Sequence, residues 1–165
     1  MDRVDNLLKQ WAKETPTLDA TSMGIIGRIM LLNKLSENAF DEALANYNIN
    51  LSEFDLLAVL RRCGPPFKSS ASALCAHSLL SSGAMTNRID RLEKKQLVAR
   101  ESNPDDRRGV LVALTDKGKQ LIDTLIEQRF STADKFISAI SDDEKKELEK
   151  LLRKLLLSVD TINNK

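Results

Sequence analysis

Residues 81–121, SSGAMTNRIDRLEKKQLVARESNPDDRRGVLVALTDKGKQL, change their residue period repeatedly over a short distance. A helix capped by Ser81 runs to about Gln96. Strand-like LVARES follows, then a polar turn holding Pro104, then strand-like VLVAL, then a helix that Thr115 caps. So short a connection between two strands makes an antiparallel hairpin, and helices flank it on both sides. The short helix predicted just before, ASALCAH, turns into the Ser81 helix through SLL, which gives a helix-turn-helix followed by a wing. Two adjacent arginines, Arg107 and Arg108, stand at the wing tip beside Asp105 and Asp106. A hairpin tip adds little to a core and reaches outward.

The rest of the chain reads as helix. Residues 2–14 place Val4, Leu7, Leu8 and Trp11 at helical spacing, and Pro16 ends that segment. Ser22 opens a long helix to about Tyr47, broken by NYNIN. Ser52 is expected to cap the next helix, with Asp55 at its third position, and GPPF stops it after Cys63. Ser70 opens the short helix. Asp116 begins a helix to about Ser138, and Ser141 with Glu144 forms a capping box for the last one. The fold class is mainly α with a small β-hairpin wing, in one domain over 1–165. Hydrophobic residues make up 42% of the chain, enough for a core, while aromatics at 4% leave that core to aliphatic side chains. The terminal helices carry more apolar stripe than one core of this size needs; Leu148, Leu151, Leu152, Leu155, Leu156 and Val159 are an example. Surplus stripe of this kind is expected to bury against a second copy.

Several function classes are excluded. The chain has one histidine, His77, and two cysteines, Cys63 and Cys75, without metal-ligand spacing. It has no Gly-rich phosphate loop and no nucleophile motif, so neither an enzyme nor a metal or other cofactor is expected. No apolar run reaches membrane-spanning length, and the acidic N-terminal stretch is not a signal peptide; the expected location is cytoplasmic. Buried, inert thiols fit the same reducing setting. The net charge is only +1, so any contact with nucleic acid must come from local charge.

That local charge exists. Residues 88–108 hold seven cations and five acids. The first turns of the second helix of the helix-turn-helix read Ser82, Gly83, Ala84, Met85, Thr86, Asn87 and Arg88, followed by Arg91. Small residues let a backbone approach a major groove, and Thr, Asn and Arg reach base edges or phosphates. Arg107 or Arg108 at the wing tip suits the narrow minor groove, where negative potential is strongest. The opposing reading is a capped, solvated helix and a hairpin tip closed by local ion pairs.

This run, RLEKKQLVAR followed by DDRRGVLVALTDKG above all, closely resembles the DNA-binding core of the MarR family of winged helix-turn-helix regulators, and the helix order fits nearly end to end. The resemblance implies a homodimer on double-stranded DNA at a pseudo-palindromic operator. In it, 1–47 and 116–165 supply dimerisation helices and 52–114 the DNA-binding lobe. It also implies that Ser82, Thr86 and Arg88 face the major groove, with Asn87 and Arg91 beside them. Arg107 would enter the minor groove, with Arg108 either sharing that role or supporting the wing.

A narrower pattern combines the N-terminal QWAKETPTLD, the segment GIIGRI, EFDLLAVLRRCGPP and SSGAMTNRIDRLE. It looks like the urate-responsive, PecS- and HucR-like branch of the family. That resemblance implies a ligand site made of Trp11, Asp55, Arg62 and Arg88. The chemistry is sound on its own terms. Asp55 and Arg62 lie two helical turns apart and share one face. An arginine fork matches the oxygens of a planar anion, and an indole offers a flat face or an N–H. Urate or a related purine is the expected effector of what is expected to be a repressor. Another aromatic acid, thiol oxidation at Cys63, and an adaptor that no longer binds DNA are the alternatives.

Overall fold

The computed structural model describes the backbone of residues 1–78, 82–104 and 106–163, and the side chains of 1–76, 83–104 and 109–160. The chain divides into two compact units, Met1–Arg129 and Phe130–Lys165.

The first unit opens with α1 (Arg3–Glu14), whose N-terminus carries a capping box between Asp2 and Asp5. Next comes α2 (Thr21–Ala45). No side chain of its N-cap residue Ala20 caps it; Asp19 instead accepts hydrogen bonds from the Thr21 backbone N–H (2.9 Å) and hydroxyl (2.6 Å). Arg28 ties the two helices together, reaching Asp2 at 2.9 Å and Asp5 at 2.5 Å. The next helix, α3 (Leu51–Arg62), corrects the expected cap. Asn50, not Ser52, is the N-cap residue: its side chain accepts from Glu53 N at 3.0 Å, and Glu53 answers by accepting from Asn50 N at 3.1 Å. Ser52 is already inside the helix and donates its hydroxyl to the Asn50 side chain.

The winged part follows as β1 (Lys68–Ser70), α4 (Ala71–Ser78), α5 (Ser82–Lys94), β2 (Val98–Asn103) and β3 (Asp106–Leu114). The expected two-stranded hairpin is the outer part of a three-stranded antiparallel sheet, ordered β1-β3-β2. β1 escapes a sequence reading because three residues are too few to show alternation; it is set by pairing Lys68 with Ala113 and Ser70 with Leu111. β3 also starts earlier than VLVAL. Ser102 pairs with Val110 but Asn103 pairs with Asp106, so residues 107–109 stand opposite no β2 partner and the ladder is irregular at the wing. The start of α6 (Asp116–Phe136) completes this unit.

Phe40, Leu44, Leu56, Leu57, Leu60, Leu74, Met85, Ile89, Leu92, Val112, Ile122 and Leu125 form one buried cluster, so α2, α3, α4, α5, the sheet and α6 share a core. Met85, Ile89 and Leu92 recur at helical spacing, which turns one face of α5 inward and leaves Ala84, Thr86, Asn87 and Arg91 outward.

The second unit contains the end of α6 and α7 (Asp142–Asn163). The predicted capping box is present: Ser141 N donates to Glu144 at 2.8 Å, and Glu144 N donates to the Ser141 hydroxyl. Leu151, Leu155, Leu156, Leu157 and Val159 are exposed within the chain.

Candidate DNA-reading and ligand site

Two joints hold α5 in place. At its C-terminal end, Lys95 donates to the Asn48 carbonyl at 2.6 Å and to Glu53 at 2.8 Å, while Arg91 lies 3.6 Å from the other Glu53 oxygen. Glu53 is 1% exposed and is the only buried charged residue of the described set. It caps α3 and anchors α5 together, so the two helices share one carboxylate. Beyond it, the turn into β2 meets the start of α6. The Thr115 hydroxyl donates to Gln96 O at 2.8 Å and accepts from Gly118 N at 3.0 Å, Thr115 N donates to Leu97 O at 3.2 Å, and Lys117 donates to Lys95 O at 2.9 Å. The wing, the end of α5 and the start of α6 therefore meet at one backbone crossing. Arg100, on β2, is bound by Asp90 and Glu93 of α5, which fastens the wing to the helix.

On the outward face of α5, Thr86 and Asn87 are exposed, and Arg91 keeps 54% of its side chain accessible despite its contact with Glu53. Arg88 is half-buried. The side chains of Ser82, Asp106, Arg107, Arg108 and His77, and the whole of Ser81 and Asp105, lie outside the described residues.

Of the four residues singled out for a ligand, three are linked electrostatically around Asp55. Asp55 lies at the surface of α3 within the electrostatic reach of Arg88, Arg129 and Arg62, with Glu37 of α2 adding a like charge. Partial desolvation pushes the Asp55 carboxyl above the ordinary carboxylate range, and the three arginines oppose that shift without cancelling it. The ionised form is therefore less favoured in the fold than in the unfolded chain. Its penalty is present above the usual carboxylate pKa and fades as pH falls through that range. Asp55→Asn is expected to raise the thermal midpoint at pH 7, and the gain should shrink as the pH is lowered toward about 4. A midpoint lowered equally at both pH values contradicts this.

The two neighbouring arginines of α3 divide their work. Arg61 turns to α6, where it meets Asp123 at 2.6 Å and stacks 4.9 Å over the Phe67 ring, while Arg62 stays on the exposed Asp55 side. Trp11 is elsewhere. It lines a groove of about 270 Å³ between α1 and α2 with Val4, Leu7, Leu8, Leu18, Ala20, Met23 and Gly27, and apart from its own indole no lining side chain offers a hydrogen-bond donor. Within one chain the indole and the Asp55 cluster are separate features. Arg129 is the cluster member that sequence reading missed. It is far from Arg88 in the chain, and no local motif marks it. Cys63 also departs from expectation, since as the C-cap of α3 it is exposed rather than buried; Cys75 packs against the core.

Comparison with known proteins gives a consistent picture. The family model described as "MarR family" matches residues 49–110, from the cap of α3 into the wing. The HTH-type transcriptional regulator PecS of Dickeya dadantii (strain 3937) is 34% identical over 149 residues, covering 90% of each chain. A mutant MarR from E. coli complexed with operator DNA superposes with a TM-score of 0.68 at 28% identity, over 88% of this chain and 97% of that one. AbsC, a MarR family transcriptional regulator from Streptomyces coelicolor, reaches a TM-score of 0.76 over 87% of this chain and 97% of its own; at 20% identity it speaks for the fold alone.

Proposed function

Because this chain belongs to the MarR family of winged helix-turn-helix, DNA-binding transcriptional regulators, which are not enzymes, we propose that it is a cytoplasmic repressor released from its operator by a planar purine-type anion such as urate. The observation that supports the ligand half is that Asp55 of α3 lies within the electrostatic reach of Arg62, on the same helix, and of Arg88 on α5. An anion bound by the two arginines repels the Asp55 carboxylate and competes for Arg88. It thereby acts on the helix that carries Thr86, Asn87 and Arg91. Coupling arises because the same side chain, Arg88, belongs to both the ligand site and the DNA-reading helix.

The DNA half rests on α5 and the wing. As a homodimer, the protein would place two α5 helices in successive major grooves of a pseudo-palindrome, about 10 bp apart from centre to centre. Ser82, Thr86, Asn87, Arg88 and Arg91 would lie along the groove, and Arg107 and Arg108 on the flanking minor groove. Residues 52–114 form the DNA-binding lobe in this reading. The exposed apolar faces of 1–47 and 116–165, with Ile25, Ile29, Leu32, Leu151 and Leu155 among them, are the dimerisation surface.

A gel-shift titration tests both halves, using a duplex from the DNA upstream of the protein's own gene. Urate should release the wild-type protein, salicylate should do so less well, and Arg62→Ala should need at least about tenfold more urate, the loss expected for one charge-assisted fork. Equal release of Arg62→Ala and wild type removes the ligand site from α3. Retention of the duplex at every urate concentration removes urate as the effector.

A further inference from the structure

Two guanidinium nitrogens near Asp55 are buried without a partner among the described residues: Arg88 Nε and Arg129 Nη1. Buried donors are nearly always satisfied, and leaving one unmade costs folding free energy. Two of them on two elements that flank the same carboxylate mark a place suited to an acceptor. Arg129 is also held in a defined attitude. Its guanidinium lies 4.8 Å over the ring of Phe40, which is fully buried and packs edge-on against Phe54, the residue before Asp55, at 4.8 Å and 79°. The ring fixes the guanidinium beside the first turn of α3 without using its N–H donors.

We infer that Arg129, on α6, is a third anion-binding arginine of the Asp55 site, and that the free donors of Arg129 and Arg88 bond the oxygens of the bound ligand. This rests on the ligand site proposed above and extends it to a third element. It also defines the ligand's charge. Asp55 and Glu37 face Arg62, Arg88 and Arg129, an excess of one positive charge, which a planar monoanion with two or more acceptor oxygens neutralises. A neutral molecule of the same shape leaves that excess in place and binds more weakly.

Calorimetric titration of the full-length protein with urate, for wild type, Arg129→Gln and Arg129→Lys, tests it. Arg129→Gln should bind urate at least about tenfold more weakly, and Arg129→Lys, which keeps the charge over Phe40 but loses the fork, should fall between. If Arg129→Gln lowers the thermal midpoint while urate affinity is unchanged, Arg129 is a structural partner of Phe40 and the inference fails. If Arg129→Gln does not fold, Arg129→Lys decides, and wild-type affinity in it overturns the assignment. If wild type binds salicylate but not urate, the purine assignment falls and the same three proteins are compared with salicylate. Binding of neither anion by wild type overturns both the ligand site and the role of Arg129.

Discussion

Gly118→Ala will destabilise the protein by at least about 3 kcal/mol, toward the upper end of what overpacking a close contact costs. A Cβ at this position falls 1.9 Å from the carbonyl oxygen of Leu97 and 2.8 Å from its carbon, whereas ordinary contact begins at 3.4 Å. The obstacle is backbone, so no side-chain rotation relieves it. Leu97 O also accepts from Thr115 N at 3.2 Å, and Leu97 N donates to Leu92 O at 3.0 Å. Moving the carbonyl strains the end of α5 and the entry to β2 together. DNA binding should fall with stability, because the wing and the recognition helix share this crossing. Gly83→Ala is the control. Nothing lies within 4 Å of its added Cβ, and in helix α5 the substitution should be neutral or stabilising by up to about 1 kcal/mol. Urea denaturation of both variants provides the measurement. A Gly118→Ala midpoint equal to wild type would falsify the close crossing of α6 over Leu97.

The second large effect is at Lys95. Lys95→Met should cost about 3–5 kcal/mol, the range for removing one partner of a buried ion pair. The Glu53 side chain is 1% exposed, and Lys95 is its nearer partner at 2.8 Å; Arg91 remains only at 3.6 Å and is itself half in solvent. Lys95 also satisfies the Asn48 carbonyl. Glu53→Gln should cost less, about 1–2 kcal/mol, because an amide can still cap Asn50 N and the released cations have access to water. In the double variant Glu53→Leu/Lys95→Met, stability should recover well beyond the Lys95→Met value, since no charge is then left buried. Additive losses in that cycle would show that Glu53 and Lys95 act independently, and the shared anchor of α3 and α5 would be lost as an explanation.

Much of the fold is legible one helical turn at a time. The Ser141–Glu144 box, the stop at GPPF, the apolar spacing of Met85, Ile89 and Leu92, and the strands on either side of Pro104 each follow from residues within a few positions of one another. Where two local signals compete, the outcome is harder to read. Asn50 and Ser52 are both good caps, and Asn50 prevails because Glu53 stands three residues after it and completes the reciprocal pair. β1 has no local signal at all and exists through its partner β3.

The candidate site divides the same way. The sequence alone determined that Asp55 and Arg62 share a face of one helix and that Arg88 lies on the second helix of a helix-turn-helix followed by a hairpin, because periodicity and turn chemistry act over short chain distances. Only the tertiary structure decided which distant groups meet: Arg61 turning to Asp123 while Arg62 stays with Asp55, Lys95 closing on Glu53, Gly118 lying against Leu97, Arg129 settling over Phe40, and Trp11 lining a groove of its own. Those meetings are set by how α3, α5 and α6 pack around one aliphatic core. That packing depends on the summed shape of side chains far apart in the chain, which no local pattern of residues encodes.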